Sequence, residues 1–136
     1  MTTTFRATIE MRWTDCDLLG HVNNAKFIEF AQDARIRFFG EDSTITWGRD
    51  NSMVVRHMEV DYERPLFLTS SPIHVDVSIL KIGNSSCTIR HDICDKDGNR
   101  AARVDAVLVG FDGKTNTSKP LSDEIKTLLS KYLVES

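Results

Sequence analysis

The loop RWTDCDLLGHVNN concentrates the side chains of this sequence that are best suited to chemistry. It holds two carboxylates, an imidazole, two amides and a glycine, just before an aromatic-rich segment with helical spacing. A helix N-terminus presents unpaired N–H groups and partial positive charge, which together stabilise an oxyanion. A carboxylate held beside it can act on a carbonyl carbon, so the loop predicts chemistry at a carbonyl group. The residues concerned are Asp15, Asp17, Gly20, His21, Asn23 and Asn24.

Local chemistry leaves the role of each of these residues open. Asp15 and Asp17 both have the reactivity required, and each could instead accept backbone hydrogen bonds within the loop. The unperturbed pKa of a histidine lies near neutrality, so His21 could orient a carboxylate, move a proton or contact a substrate. Asn23 and Asn24 are both suited to cap the helix, and the backbone N–H of Asn24 is the candidate oxyanion donor.

The segment NAKFIEFAQDARIRFFG, which follows the loop directly, predicts the longest helix of the chain. Phe27, Ala31, Ala34 and Phe38 recur at helical spacing, and Gly40 supplies a stop. The helix would therefore begin at the loop and present its N-terminus to the carboxylates.

Period-two alternation and turn residues predict five strands and a short terminal helix. Turn pairs such as Gly83-Asn84 and the run Lys96–Asn99 join the last three strands into a meander. In the C-terminal segment LSDEIKTLLSKYL, Ser122 can serve as N-cap. A sheet that covers one apolar helix indicates an α+β layer arrangement. The predicted strands are 5–13, 53–63, 73–82, 86–94 and 100–111.

The motif D-C-D-L-L-G-H-V-N-N-A-x-F, followed by F-x-x-x-A-R, resembles the signature of hydroxybenzoyl-CoA thioesterase-type hotdog proteins. The resemblance implies a hotdog fold, in which a curved antiparallel sheet wraps around a long central helix. It also implies that Asp17 rather than Asp15 is catalytic, that the amide of Asn24 faces the thioester carbonyl, and that the protein dimerises with sites at the subunit junction. Phe27, where relatives often have tyrosine, departs from the pattern, as do Leu18 and Leu19.

We therefore predict a thioesterase that hydrolyses an acyl-CoA thioester, with Asp17, His21 and Asn24 as catalytic residues. Asp17 would act as nucleophile or as general base. The alternatives are an acyl-carrier-protein thioesterase, a hydratase that uses Asp17 and His21 as an acid/base pair, and a non-catalytic acyl-CoA-binding module.

Composition limits the partners of the chain. Its 136 residues carry a net charge of -3 with no dense basic cluster, which argues against nucleic acid. No apolar run reaches the length of a membrane span, and the N-terminus lacks the apolar centre of a secretory signal. We expect one domain, residues 1–136, in the cytoplasm, forming a homodimer or homotetramer.

No cofactor beyond the CoA of the substrate is predicted, and no metal. The cysteines form no C-x-x-C pair, and the remaining histidines lack metal-ligand spacing. Glu29 and Asp33, at i and i+4 of the helix, could offer a carboxylate to a site, as another hotdog subgroup does from its central helix, but a solvated helix face is expected. Spacing alone does not choose a clamp for the CoA phosphates among the basic residues Arg56, Arg64, Lys81, Arg90 and Arg103.

Overall fold

A computed structural model describes residues 4–134 of the chain. The ends of the predicted domain, residues 1–3 and 135–136, lie outside the described residues. Two single 3-10 turns, Trp13–Asp15 and Leu68–Ser70, separate some of the elements. The helices and strands are, in chain order, β1 (Phe5–Ile9), α1 (Asn24–Phe39), β2 (Ser52–Tyr62), β3 (Ile73–Ile82), β4 (Ser86–Cys94), β5 (Arg100–Asp112), β6 (Thr117–Ser118) and α2 (Asp123–Ser130).

The strands form one antiparallel sheet in the order β1-β3-β4-β5-β2, and the two-residue β6 pairs with β5. The predicted meander of β3, β4 and β5 is therefore confirmed. The curved sheet packs on α1 through β1, β3, β4 and β5. This arrangement confirms the hotdog fold that the sequence motif implied.

Helix α1 buries the stripe that its sequence spacing predicts. Phe27, Ala31, Ala34 and Phe38 are all inaccessible or nearly so. Burial of each phenylalanine contributes roughly 2 kcal/mol to the free energy of folding. The stripe thus fixes which face of α1 points into the sheet, and with it the direction of the loop at its N-terminus.

The first strand is shorter than predicted. Alternation suggested a strand from Phe5 to Trp13, but pairing with β3 ends at Ile9, opposite Ile73. The Asp15 carboxylate accepts the backbone N–H of Arg12 at 2.9 Å, and the Asp15 N–H donates to the Arg12 carbonyl, so the chain closes into a 3-10 turn. Trp13 is consequently 76% exposed rather than buried with the inward side of the strand.

The terminal helix α2 closes the core as its pattern predicted. Ser122 Oγ accepts the backbone N–H of Ile125 at 3.3 Å, which is the expected N-cap. Ile125, Leu128 and Leu129 are buried. Neither helix among the described residues is long and apolar enough to cross a membrane.

Strand β2 forms one edge of the sheet and passes α1 in the opposite direction. Tyr62, at the end of β2, contacts Asn24 at the start of α1. Met53, near the start of β2, lines a cavity with Phe39 near the end of α1. Two different cavities therefore lie at the two ends of this helix–strand boundary.

Candidate active site

The carboxylate of Asp17 is exposed and held by its own loop. Its Oδ1 accepts the backbone N–H groups of Leu19 at 2.9 Å and His21 at 3.1 Å. The Asp17 N–H donates to the His21 carbonyl, and the Gly20 N–H donates to the Asp17 carbonyl. No bond to Oδ2 is formed among residues 4–134, so one oxygen orders the loop while the other stays available to a substrate or a water molecule.

Gly20 closes this tight turn with a φ of +80°. Residues with a Cβ rarely adopt that conformation, so the turn that lets Oδ1 reach two N–H groups depends on glycine. Steric crowding does not explain the need for glycine, because a Cβ at this position would meet no atom within 4 Å.

Asp15, the other candidate carboxylate, is buried and forms hydrogen bonds within the fold. It is 4% exposed, and its oxygens accept from the backbone of Arg12 and lie 3.6 Å from Nζ of Lys26. Its backbone carbonyl accepts the N–H of Asn23 at 3.4 Å. These contacts give Asp15 a hydrogen-bonding role that joins the loop to the helix start.

The start of α1 leaves a backbone donor open. Asn23 Oδ1 accepts the N–H of Ala25 at 2.8 Å, so Asn23 is the N-cap. Asn24 is the first helical residue, and its N–H has no acceptor among the described residues, as expected for the first turn of a helix. Its carbonyl accepts the hydroxyl of Tyr62 at 3.1 Å. The Tyr62 ring meets Phe27 edge-on at 5.4 Å.

His21 lies on the other side of the loop from the carboxylates. Its backbone bridges Phe67, and its ring packs edge-on against the Phe67 ring at 4.9 Å. It lines a cavity of about 270 Å³ together with Asn24, Tyr62 and Arg64.

Asp17 opens onto a different cavity, of about 420 Å³, which Asn23 and Lys26 also line. The structure thus places all three predicted catalytic residues on one loop and helix start. It does not bring Asp17 into one cavity with His21 and Asn24 within a single chain.

Tyr62 and Phe67 contact the candidate residues Asn24 and His21, and sequence reasoning missed both of them. Both follow from tertiary contact, since Tyr62 lies 38 residues from the asparagine whose carbonyl it binds. The alternating apolar side chains of β2 were the available signal, because Tyr62 shares the side of the strand that faces α1.

Other candidates from the sequence have ordinary surface contacts. Glu29 pairs with Lys26 at 2.9 Å, and Asp33 pairs with Arg37 at 3.0 Å. No group of three potential metal ligands comes together in the described part of the chain. Arg90 and Arg103 pair with Asp105 and Asp92, whereas three basic side chains form no ion pair within the described range: Arg56, Arg64 and Lys81.

The three thiols differ sharply in environment. Cys16 is half-buried beside Asp17 and bridges Val22 through its backbone. Burial raises the pKa of Cys87 to about 12, and burial also raises the pKa of Cys94.

The chain is similar to known proteins in sequence and in fold. The model of the thioesterase-like superfamily matches residues 11–129. The long-chain acyl-CoA thioesterase FadM of Escherichia coli (strain K12) is 25% identical over 128 residues, covering 92% of this chain and 96% of that protein.

Two solved structures share the fold over almost their whole length. A predicted thioesterase from Bacillus stearothermophilus has a TM-score of 0.87 and 27% identity, covering 98% of this chain and 99% of that one. A thioesterase from Thermus thermophilus, complexed with coenzyme A and Zn, has a TM-score of 0.81 and 35% identity, covering 95% of this chain and 98% of that one. From its motif, its fold and these matches, the chain belongs to the thioesterase-like superfamily.

Proposed function

We propose that the protein is an acyl-CoA thioesterase in which Asp17 attacks the thioester carbonyl or activates water, with the backbone N–H of Asn24 as oxyanion donor. The observation that carries this proposal is the loop itself. An exposed carboxylate, ordered through one oxygen only, lies just before a helix whose first N–H is open. CoA is favoured as the carrier because the Thermus thermophilus relative is complexed with coenzyme A and FadM is named for acyl-CoA.

Two routes fit this geometry. In the first, an Asp17 oxygen bonds to the carbonyl carbon, the oxyanion collapses with loss of CoA thiolate, and water hydrolyses the resulting anhydride. In the second, Asp17 takes a proton from a water molecule, which attacks the same carbon; the oxyanion then collapses with loss of CoA thiolate and gives the acid directly. Both routes place negative charge on the carbonyl oxygen, where an N–H at the positive end of α1 stabilises it. His21 would contact the substrate or assist proton transfer.

A second copy of the chain is expected to complete the site. Asp17 and Asn24 line different cavities in one chain. In the expected homodimer, a neighbouring subunit would close both cavities toward a shared substrate. A cytoplasmic location stays a prediction, to be checked by cell fractionation.

Asp17→Asn replaces the candidate catalytic carboxylate by an amide of the same shape. The amide oxygen can still accept from Leu19 and His21, so the loop and the fold should persist. Loss of the reactive carboxylate should lower the rate at least about a hundredfold. The measurement is free-thiol release from acyl-CoAs that vary in chain length and aromaticity, with matched acyl-carrier-protein thioesters in parallel.

Asp33→Asn is the matched control, because it makes the same chemical change at a half-exposed carboxylate on α1, which is paired with Arg37. It should keep parental rates. If Asp17→Asn also hydrolysed acyl-CoAs at near parental rates, the assignment of Asp17 would be wrong.

One observation favours a second candidate, a binding module without chemistry. The hydrogen bonds to Oδ1 give Asp17 a structural use that needs no catalysis. An acyl-CoA that binds to the wild-type protein and is recovered intact would favour this candidate over the thioesterase.

A further inference from the structure

A mostly apolar cavity of about 380 Å³ lies at the end of α1 remote from the Asp17 loop. Its volume falls within the range of small-molecule sites, roughly 300–1,000 Å³. Between Asn24 and Arg35 the helix rises by about 16 Å, so this cavity is separate from the candidate active site. Its walls include the aromatic and aliphatic side chains of Phe39, Trp47, Met53, Val55 and Leu108, and the buried Arg35.

Arg35 is a buried cation whose only side-chain partner within residues 4–134 is neutral. It is 8% exposed, and its Nη1 lies 3.4 Å from Nε2 of His91. His91 is inaccessible, and its Nδ1 donates to the Val104 carbonyl at 2.8 Å, which leaves Nε2 as the acceptor. Burial also lowers the pKa of His91 to about 4, so the imidazole is uncharged near neutral pH.

No carboxylate among the described residues lies within 4 Å of the Arg35 guanidinium. The nearby thiol of Cys87 is protonated, since burial raises its pKa to about 12. A buried charge without a counter-charge is unfavourable, because desolvation is not repaid. Consistently, desolvation lowers the pKa of Arg35.

The free donors of Arg35 face accessible space. In the described residues, no side-chain nitrogen or oxygen is both fully buried and without a hydrogen-bond partner. Nε and Nη2 of Arg35 have no acceptor there, so both must touch accessible space. The accessible space that Arg35 lines is the apolar cavity.

We propose that this cavity binds an organic carboxylate with an unbranched apolar tail, its carboxylate on Arg35 and its tail against Trp47 and Phe39. A guanidinium offers a carboxylate two parallel donors, and entry of the anion compensates the buried charge. The apolar walls exclude water around the tail. The ligand is either a free fatty acid or the carboxylate at the far end of an acyl group. Binding at this site does not require hydrolysis at Asp17.

The test is a titration with octanoate and with octanamide, its neutral counterpart. Trp47 lines the cavity and Trp13 does not, so Trp47 fluorescence in a Trp13→Phe background reports occupancy. Octanoate should bind at least about tenfold more tightly than octanamide, as expected for a charge-assisted hydrogen bond. Arg35→Met should abolish that preference.

Trp47→Ala provides a second, partly exposed variant in case Arg35→Met does not fold, with calorimetry as the readout. It should weaken octanoate and octanamide alike and keep the preference. The proposal is overturned if octanoate binds no better than octanamide, or if Arg35→Met binds octanoate as the parent does. It is also overturned if the parent binds neither compound and Arg35→Met changes the association state of the protein. In that case the counter-charge of Arg35 comes from a second copy of the chain and not from a ligand.

A further titration, on the Asp17→Asn variant, assigns the source of the carboxylate without turnover. Hexadecanedioyl-CoA, whose sixteen-carbon chain is long enough to span the helix rise and carries a distal carboxylate, is compared with palmitoyl-CoA. An Arg35-dependent preference for hexadecanedioyl-CoA identifies the end of an acyl group as the ligand, and equal binding of the two, with octanoate bound by the parent, identifies the free acid.

Discussion

At the residue scale, the two oxygens of Asp17 have different surroundings. Oδ1 is ordered by two backbone N–H groups of its own loop, which fixes the plane of the carboxylate without neutralising it. Such preorganisation places a reactive group before the substrate arrives, which lowers the cost of reaching the reactive geometry. A structural role and a chemical role for the same side chain are therefore compatible.

The buried His91 predicts a specific loss of stability in acid. Its ordinary pKa of 6.5 is lowered to about 4 in the fold, first by burial and then by the charge of Arg35, against the opposing effect of its hydrogen bond to Val104. Between these two pKa values, His91 therefore binds a proton in the unfolded chain but not in the folded chain. The free energy of unfolding should fall by about 3 kcal/mol as the pH drops from about 6.5 to about 4.

His91→Asn isolates this contribution, since its amide nitrogen can replace Nδ1 as donor to Val104. Urea unfolding of both proteins across this pH range provides the measurement. The difference in their unfolding free energies should shrink as the pH falls, and a constant difference would contradict the assignment.

At the element scale, Asn23 sets the start of α1 and thereby the position of the open N–H. Asn23→Ala should lower the free energy of unfolding by about 1 kcal/mol, because the N–H of Ala25 loses its acceptor. Asn23→Asp keeps an acceptor at the positive end of the helix and should leave stability near the parental value. Urea denaturation of the two variants distinguishes capping from other effects; equal losses in both would argue against a capping role.

The sequence was most informative where local pattern and burial agree. Helix α1 and the meander of β3, β4 and β5 follow from spacing and turn residues. The loop motif identified Asp17, His21 and Asn24 as candidate catalytic residues. Alternation alone extended β1 to Trp13, because it does not register that Asp15 turns the chain back. Tyr62 reaches α1 only through the packing of β2, a contact that local patterns do not encode.

At the scale of the whole molecule, β2 is a long sheet edge with exposed apolar side chains. Such edges pair readily with another chain. We therefore expect the 15.4 kDa chain to sediment as a homodimer or larger. Val54→Glu, at a position that is 39% exposed, should weaken association and hydrolysis together.

Leu133→Glu is the control, because this residue is 40% exposed but lies away from β2. It should leave sedimentation unchanged. A wild-type monomer that hydrolyses acyl-CoA at full rate would refute a shared site.

Because the three thiols are buried to different extents, a thiol reagent should label the native protein at a single cysteine. A thiol reagent reacts with the thiolate, so Cys87 and Cys94, with raised pKa values, should be silent while Cys16 reacts. Mass spectrometry should find one adduct on the folded chain and three in denaturant; rapid labelling of Cys87 in the folded chain would contradict its burial. Since Cys16 adjoins Asp17, a fluorophore attached there would follow the candidate carboxylate loop as ligands arrive.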